Sequence, residues 1–235
     1  MGYKHSVDPI LLADFVEAKK GDRVIDLGTG SGVIPVCLSK RFKDIEIVGL
    51  ELQEGLVRVA RESVRQAHDA ILQDHHDHPE QCRRIEIIKG DIRDVKSLFD
   101  AESFDIVVGN PPYRKADDGR INPDRETAIA RHEIEITLSE FLKAGRYLVK
   151  NMGSVNIIYH PYRLTELLSL MTENRITPKR IQFVHPKIGS KAEMVMVEGI
   201  KNGRHELGVM KPLIIADSCQ LPLNIFQLNF QLNFL

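Results

Sequence analysis

The sequence predicts an α/β fold built on a mostly parallel sheet of seven strands, with helices on both faces. Apolar runs of strand length alternate with amphipathic stretches of helix length, which is typical of β-α-β units. A glycine-rich turn lies between the first apolar run and the first helical stretch. The chain has 235 residues, a length that suits one α/β domain.

The predicted strands are short apolar runs, each bounded by charged or turn-forming residues. They lie at residues 23–28, 46–51, 85–91, 104–110, 153–160, 181–184 and 194–198. Helices are predicted at residues 33–42, 53–71, 134–148 and 162–171, where helix-length amphipathic stretches follow the strands. Because strands and helices alternate over most of the chain, we expect mainly parallel pairing.

The composition excludes several classes of protein. It is 43% hydrophobic and 28% charged, an ordinary globular profile. There is no apolar run of the length that spans a membrane, and residues 1–14 lack the order of a secretory signal. The three cysteines, Cys37, Cys82 and Cys219, are odd in number and far apart, so we expect a reducing cytoplasm rather than a disulfide framework.

Charge is distributed unevenly along the chain. Residues 1–112 carry 15 Lys/Arg against 20 Asp/Glu, whereas residues 113–191 carry 14 against 9. A basic segment directly after the candidate site described below would suit a polyanionic partner. The alternative, a solvated charged surface, stays open at this point.

The glycine-rich turn, DLGTGSG, contains Asp26, Gly28, Gly30 and Gly32 and opens the first helix. Glycines allow a ligand to approach the main chain closely, and a helix N-terminus offers unpaired N–H groups. The spacing differs from the G-x-G-x-x-G of dinucleotide-binding proteins, which disfavours a dehydrogenase. Asp26 would repel a pyrophosphate but could hold an ammonium group. These features favour a ligand with an amino acid part, such as S-adenosylmethionine.

Two further acids end predicted strands. Glu51 ends the second strand about 20 residues beyond the glycine turn, where a carboxylate could accept both hydroxyls of a ribose. Asp91 ends the third strand and could accept a hydrogen bond from an adenine amino group, with Ile92 packed on the ring. Asp91 could equally cap a turn or helix.

The tetrapeptide Asn110-Pro111-Pro112-Tyr113 follows the fourth strand. Ligands of open α/β sheets bind beyond the carboxyl ends of the strands. The Asn110 side-chain oxygen and a backbone carbonyl fixed by proline could accept both hydrogens of a planar NH₂ group. Its nitrogen lone pair would then face an electrophile. Tyr113 could stack on the ring that bears the amine.

Together these motifs resemble the class I S-adenosylmethionine-dependent methyltransferases that modify amino groups. The resemblance implies a Rossmann-like fold and S-adenosylmethionine as cofactor. It implies catalytic roles for Asn110, Pro111 and Tyr113. It also implies cofactor contacts by the glycine turn, the strand-end acids and Asn110, that is by Asp26, Gly28, Gly30, Gly32, Glu51, Asp91, Ile92 and Asn110.

A closer resemblance is to the bacterial tRNA-valine adenine-N6 methyltransferase family. It is carried by HSVDPILL at residues 5–12, by Arg125 with ARHE at residues 130–133, and by KAEMV at residues 191–195. It covers residues 3–211 and implies RNA as partner, most specifically N6 of an adenine in tRNA. Asp8 would then contact the cofactor. The residues expected to bind substrate are Tyr113, Arg114, Arg125, Arg131 and His132.

Other functions compete with this hypothesis. N-P-P-Y also occurs in enzymes that methylate a release-factor glutamine or guanine N2 of ribosomal RNA. The glutamine enzymes usually carry a helical domain ahead of the fold, and the short stretch before residue 23 favours RNA. A catalytically silent RNA-binding module of the same fold is a further alternative.

We expect residues 1–211 to form the methyltransferase domain and residues 212–235 an atypical apolar tail. His68, His75, His76 and His78 lack the spacing of zinc ligands, so we expect no metal. A monomer or weak homodimer is expected.

Overall fold

The computed structural model describes residues 7–74, 84–112 and 136–216. The strands are β1 (Arg23–Leu27), β2 (Glu46–Glu51), β3 (Arg84–Lys89), β4 (Phe104–Gly109), β5 (Val149–Tyr159), β6 (Ile176–His185), β7 (Met194–Lys201), β8 (Gly208–Val209) and β9 (Leu213–Ile214). The helices are α1 (Asp8–Phe15), α2 (Val33–Arg41), α3 (Glu54–Asp74), α4 (Val95–Leu98), α5 (Leu138–Leu148) and α6 (Leu164–Glu173).

The sheet confirms the predicted α/β class. Its seven longer strands lie in the order β3-β2-β1-β4-β5-β7-β6. All pairings from β3 to β5 are parallel, and β7 runs antiparallel to both β5 and β6. The two-residue strands β8 and β9 pair with β6 and were not predicted. The fold is therefore Rossmann-like, with a mostly parallel sheet.

Helices cover both faces of the sheet. One cluster of buried residues joins α1 and α2 to one face, through Leu12 and Leu38 against Ile47 and Val108. The other joins α5 and α6 to the opposite face, through Phe141 and Met171 against Ile25. Strands buried on both faces read as nearly continuous apolar runs, which is why they were visible in the sequence.

Several element bounds differ from prediction for local reasons. Helix α5 begins at Leu138 rather than residue 134, because Thr137 and Glu140 form a reciprocal capping box at its start. Strand β6 begins at Ile176 rather than residue 181. The polar stretch around Pro178 hid its first half, and the pairing register shifts between Pro178 and Arg180.

Helix α1 was not predicted. Its buried residues Ile10, Leu11, Leu12 and Ala13 are consecutive, so they show no helical stripe. The helix packs on α2 and on the ends of β5 and β7, which buries it on more than one side.

Strand pairing continues to Ile214, beyond the expected domain end at residue 211. The division at that residue stays a prediction, and residues 217–235 lie outside the described part of the chain. No helix in the described ranges has the length and apolar character needed to cross a membrane.

Candidate active site

The candidate site lies where β1 and β4 adjoin, the point at which the strand order reverses. Strand β1 continues through α2 on one face to β2, whereas β4 is followed by α5 on the other face before β5. A crevice opens beyond the strand ends at such a point, and ligands of α/β proteins bind there.

The glycine turn and Asn110 meet at this crevice. β1 and β4 are parallel neighbours, with Asp26 opposite Val108. A Cβ added to Gly109 would lie 3.0 Å from the carbonyl oxygen of Leu27. Asn110 therefore follows β4 beside the start of the glycine turn, where the sequence predicted that amine and cofactor would meet. Asn110 is half-buried and Pro111 is buried.

The glycine turn is held in a conformation that requires glycine. The N–H groups of Gly28 and Thr29 donate to the Leu50 carbonyl at 2.9 and 3.0 Å. Gly28, Gly30 and Gly32 have φ of +77°, +58° and +81°, values that other residues rarely adopt. A Cβ at Gly32 would lie 3.2 Å from Ala60 of α3, but one at Gly30 would meet nothing within 4 Å. The main chain at Gly30 is thus open to close approach within the described structure.

Glu51 joins the end of β2 to the glycine turn. Its carboxylate is buried and accepts the N–H of Gly30 and the N–H of Gln53, each at 2.9 Å. Each carboxylate oxygen can accept a further hydrogen bond. Glu51 therefore keeps the capacity to bind ribose hydroxyls, although that role stays a prediction.

Asp26 is a fully buried carboxylate whose two oxygens find no hydrogen-bond partner among the described residues. Burial raises the pKa of Asp26 to about 7, and the Glu51 charge increases the rise. The nearby Thr29 hydroxyl opposes the rise, although it does not form a well-aligned hydrogen bond with the carboxylate. An unsatisfied buried acceptor costs free energy, so the position fits a donor or cationic ligand group. The ammonium group of a methionine moiety is of that kind.

The raised pKa of Asp26 predicts a pH dependence of stability for the cofactor-free protein. Between pH 3.8 and about 7, the folded state keeps a proton that the unfolded state has lost. The free energy of unfolding therefore falls as pH rises through this window, by at most about 1.4 kcal/mol per pH unit from this group. Asp26→Asn should remove this contribution, so that the variant exceeds the wild type in stability at pH 8 and approaches it at pH 4.

Urea denaturation of both proteins across this pH range measures the effect. A difference in unfolding free energy that stays constant with pH would contradict the assignment. The same variant should bind S-adenosylmethionine more weakly if the carboxylate holds the ligand's ammonium group.

Asp91 has a local partner that the sequence did not reveal. Its carboxylate accepts the backbone N–H of Arg93 at 2.8 Å and pairs with the Arg93 guanidinium. These hydrogen bonds lower the pKa of Asp91 and make it the cap of a single helical turn, Ile92–Asp94. The capping alternative is therefore present, and a contact with an adenine amine stays a prediction.

A cleft of about 200 Å³ opens beside the glycine turn. It is lined by Gly28, Leu50, Glu51, Leu52, Gln53, Gly90, Ile92, Pro112 and Ile136. Apolar side chains flank one buried carboxylate, which fits the adenosine part of S-adenosylmethionine. The buried Ile92 side chain lies in this lining, and its contact with adenine stays a prediction.

Several predicted site residues are not among those that line the cleft or form the glycine turn. Tyr113, Arg114, Arg125, Arg131 and His132 lie outside the described residues, so their substrate roles stay predictions. Asp8 begins α1, which packs on α2 immediately after the glycine turn. Within the described ranges, no three His, Cys, Asp or Glu residues are grouped to hold a metal ion.

The sequence missed several contributors to the site, among them Leu50 and Leu52 of the cleft lining. The backbone N–H of Gln53 donates to Glu51, and Ile136, which follows residues 113–135 in the chain, lines the cleft. Neither carries a sequence signal. Thr29, whose buried hydroxyl has no hydrogen-bond partner in the described structure, lies inside the glycine motif and could have been considered from its position.

Comparison with known proteins gives an independent view. The model of the methyltransferase small domain family matches residues 6–158. A tRNA1(Val) (adenine(37)-N6)-methyltransferase from Bacteroides thetaiotaomicron is 30% identical over 213 residues, covering 83% of this chain and 82% of the relative. A protein of the same name from Tolumonas auensis is 26% identical over 195 residues, covering 83% and 75%.

Solved structures share the fold. One described as a predicted O-methyltransferase from Agrobacterium tumefaciens has a TM-score of 0.68 at 23% identity, over 88% of this chain and 86% of that one. A SAM-dependent methyltransferase from Aquifex aeolicus has a TM-score of 0.55 at 18% identity, over 83% and 89%. At these identities the likeness establishes the architecture.

Proposed function

Because this chain belongs to the methyltransferase small domain family and is an S-adenosylmethionine-dependent methyltransferase, we propose that it methylates N6 of an adenine in tRNA. The relatives are named tRNA adenine-N6 methyltransferases, and this chain matches them over most of their length. The observation that carries the proposal is the meeting of Asn110 with the glycine turn at the β1–β4 crevice.

In this proposal the protein contributes orientation. S-adenosylmethionine supplies a methyl group already activated on a sulfonium. Gly30 and Glu51 bind the ribose side of the ligand, Asp26 binds its ammonium group, and Ile92 packs on its adenine. Presetting attack geometry in this way can contribute roughly 7–11 kcal/mol to catalysis.

At the acceptor, the Asn110 side-chain oxygen and the Pro111 carbonyl accept the two hydrogens of the target amine. This would direct the nitrogen lone pair toward the methyl group. As the N–CH₃ bond formed, the S–CH₃ bond would break with its electron pair left on a neutral thioether, and the nitrogen would lose a proton to water during or after attack. Tyr113 stacks on the base, and Arg114, Arg125 and Arg131 bind RNA phosphates with His132 beside them. The adenine must leave its stack, which costs least in a loop.

The proposal extends to the setting of the reaction. Names of tRNA-modifying enzymes among the relatives, together with the cysteine content, support a cytoplasmic location. The expectation of a monomer or weak homodimer stays part of this proposal.

A substrate panel tests the proposed reaction. The protein is incubated with labelled S-adenosylmethionine and, separately, with total tRNA, ribosomal RNA and release factor, and the products are digested. We expect label in N6-methyladenosine from tRNA. Label in N2-methylguanosine would identify ribosomal RNA as the substrate instead, and label in methylglutamine would identify release factor. Binding of RNA without methyl transfer would indicate a non-catalytic module.

A further inference from the structure

The segment after β5 presents an exposed aromatic ring at the same edge of the sheet as Asn110. Strands β4 and β5 are parallel neighbours, with Gly109 opposite Ile157. Asn110 is thus level with the end of β5, and Tyr162 follows four residues beyond Ile158. Residues 161–163 form a single 3₁₀ turn directly after β5, so Tyr162 lies at the strand end that adjoins Asn110.

Tyr162 is held in place although it is exposed. Its ring stacks on that of His160, with centroids 5.3 Å apart and planes 21° from parallel, and 74% of the residue is exposed. His160 is fixed in turn by its Nδ1, which lies 3.1 Å from the carbonyl oxygen of Glu193. On the other side, Arg163 lies over the buried Tyr159 ring and pairs with Glu166 at 2.8 Å.

Tyr162 therefore combines high exposure with a position that its neighbours restrict. Exposure of a large ring forgoes the stabilisation that burial gives, yet here the flanking residues restrict its position. The high exposure of Tyr162 leaves the ring face turned away from His160 open within the described structure. A preordered, open ring is the feature on which nucleic-acid bases stack.

The adjacent β6–β7 turn supplies positive charge. Residues 186–193 connect these strands, and Glu193 in this turn is the residue that contacts His160. Lys187 and Lys191 are exposed and have no ion-pair partner among the described residues. The turn is internally bonded: Ser190 donates to the Lys187 carbonyl and its own carbonyl contacts His185.

We propose that Tyr162 stacks on an unpaired nucleotide flanking the target adenine, while Lys187 and Lys191 bind phosphates of the same strand. This inference rests on the proposed function, because it assumes an RNA substrate at Asn110. It adds an RNA subsite that extends from β5 across the β6–β7 turn. His160 acts as a positioning residue beneath the tyrosine.

The first test compares Tyr162→Ala with Tyr162→Phe on a tRNA substrate. Loss of one stacked base should raise KM for RNA roughly 5- to 100-fold in the alanine variant. The phenylalanine variant keeps the ring and should stay within about twofold of the wild type. Affinity for S-adenosylmethionine and the thermal midpoint should not change in either variant, because the residue is exposed and is not part of the cleft lining.

The second test places 2-aminopurine on either side of the target adenine in an RNA hairpin loop. Stacking on Tyr162 should quench its fluorescence at one of the two positions with the wild type and not with Tyr162→Ala. Combined Lys187→Ala and Lys191→Ala should reduce the slope of log affinity against log salt by about 0.7 for each phosphate that the protein no longer neutralises.

The outcomes separate this inference from the function on which it rests. If the wild type methylates tRNA but Tyr162→Ala has an unchanged KM and unchanged quenching, the subsite is wrong and the function stands. If the wild type binds none of the RNAs, or modifies only release factor, both fail.

Discussion

Replacing Asn110 with alanine is expected to lower kcat by about 10³-fold or more, while the Kd for S-adenosylmethionine changes by less than about threefold. The reason is the position of Asn110 at the end of β4, beside the glycine turn but outside the residues that line the cofactor cleft. Without its oxygen, the amine loses an acceptor that orients its lone pair. The measurement is single-turnover methyl transfer to tRNA, with cofactor binding followed by calorimetry.

Two controls make this result specific. Asn110→Asp keeps an acceptor oxygen and should retain more activity than the alanine variant. Asn174→Ala removes another half-buried asparagine, which is far along the chain from the site. The Asn174 amide caps α6 by donating to the Leu170 carbonyl. It should cost some stability and leave kcat unchanged. If Asn110→Ala methylated tRNA at the wild-type rate, the catalytic role given to Asn110 would be wrong.

Most of the fold was predictable because the sheet is buried on both faces. Strand β1 is buried from Val24 to Leu27 and β4 from Ile106 to Gly109, so both appear as apolar runs that end at polar or glycine residues. In a parallel sheet, such strand ends share one edge. That rule alone brings together the glycine turn, Glu51 and Asn110, as the structure confirms for their positions.

The features that the sequence did not predict depend on contacts between residues that are far apart in the chain. The burial of Asp26 requires neighbouring strands and helices on its face, so no local pattern shows that its carboxylate lacks hydrogen-bond partners in the described structure. The hydrogen bond from Gly30 to Glu51 depends on how the turn folds over the end of β2. Helix α1 is hidden because burial on several sides removes the periodicity that a sequence pattern can detect.

Asp91 has the capping role that the sequence analysis left open beside a contact with adenine. Its carboxylate caps the turn that follows β3 and pairs with Arg93, as aspartate commonly does at such positions. The same turn places Ile92 in the cleft lining. The structural role of Asp91 therefore positions the residue next to it, whether or not the carboxylate also contacts adenine.

Glu51→Ala is expected to weaken S-adenosylmethionine binding by about 100-fold or more. In the proposed function the carboxylate provides acceptors for ribose hydroxyls. It also accepts the N–H of Gly30, where an added Cβ would meet nothing within 4 Å. Hydrogen bonds to a charged group contribute about 1.5–3 kcal/mol each, so the removal of two such hydrogen bonds accounts for this factor. The N–H groups of Gly30, which is half-buried, and of Gln53, which is exposed, would lose their acceptor, and the free energy of unfolding should fall by about 1–2 kcal/mol.

Glu54→Ala is the matched control, because Glu54 is an acid only three residues further along the chain. Glu54 is exposed, pairs with Lys89 at 2.8 Å and is absent from the cleft lining. Its removal should leave cofactor affinity unchanged. Glu51→Gln keeps one acceptor oxygen but turns an NH₂ group toward a backbone donor, so its affinity should lie between those of the wild type and Glu51→Ala. If calorimetry gave equal reductions in affinity for the alanine variants at 51 and 54, charge near the cleft rather than the hydrogen bonds of Glu51 would account for binding.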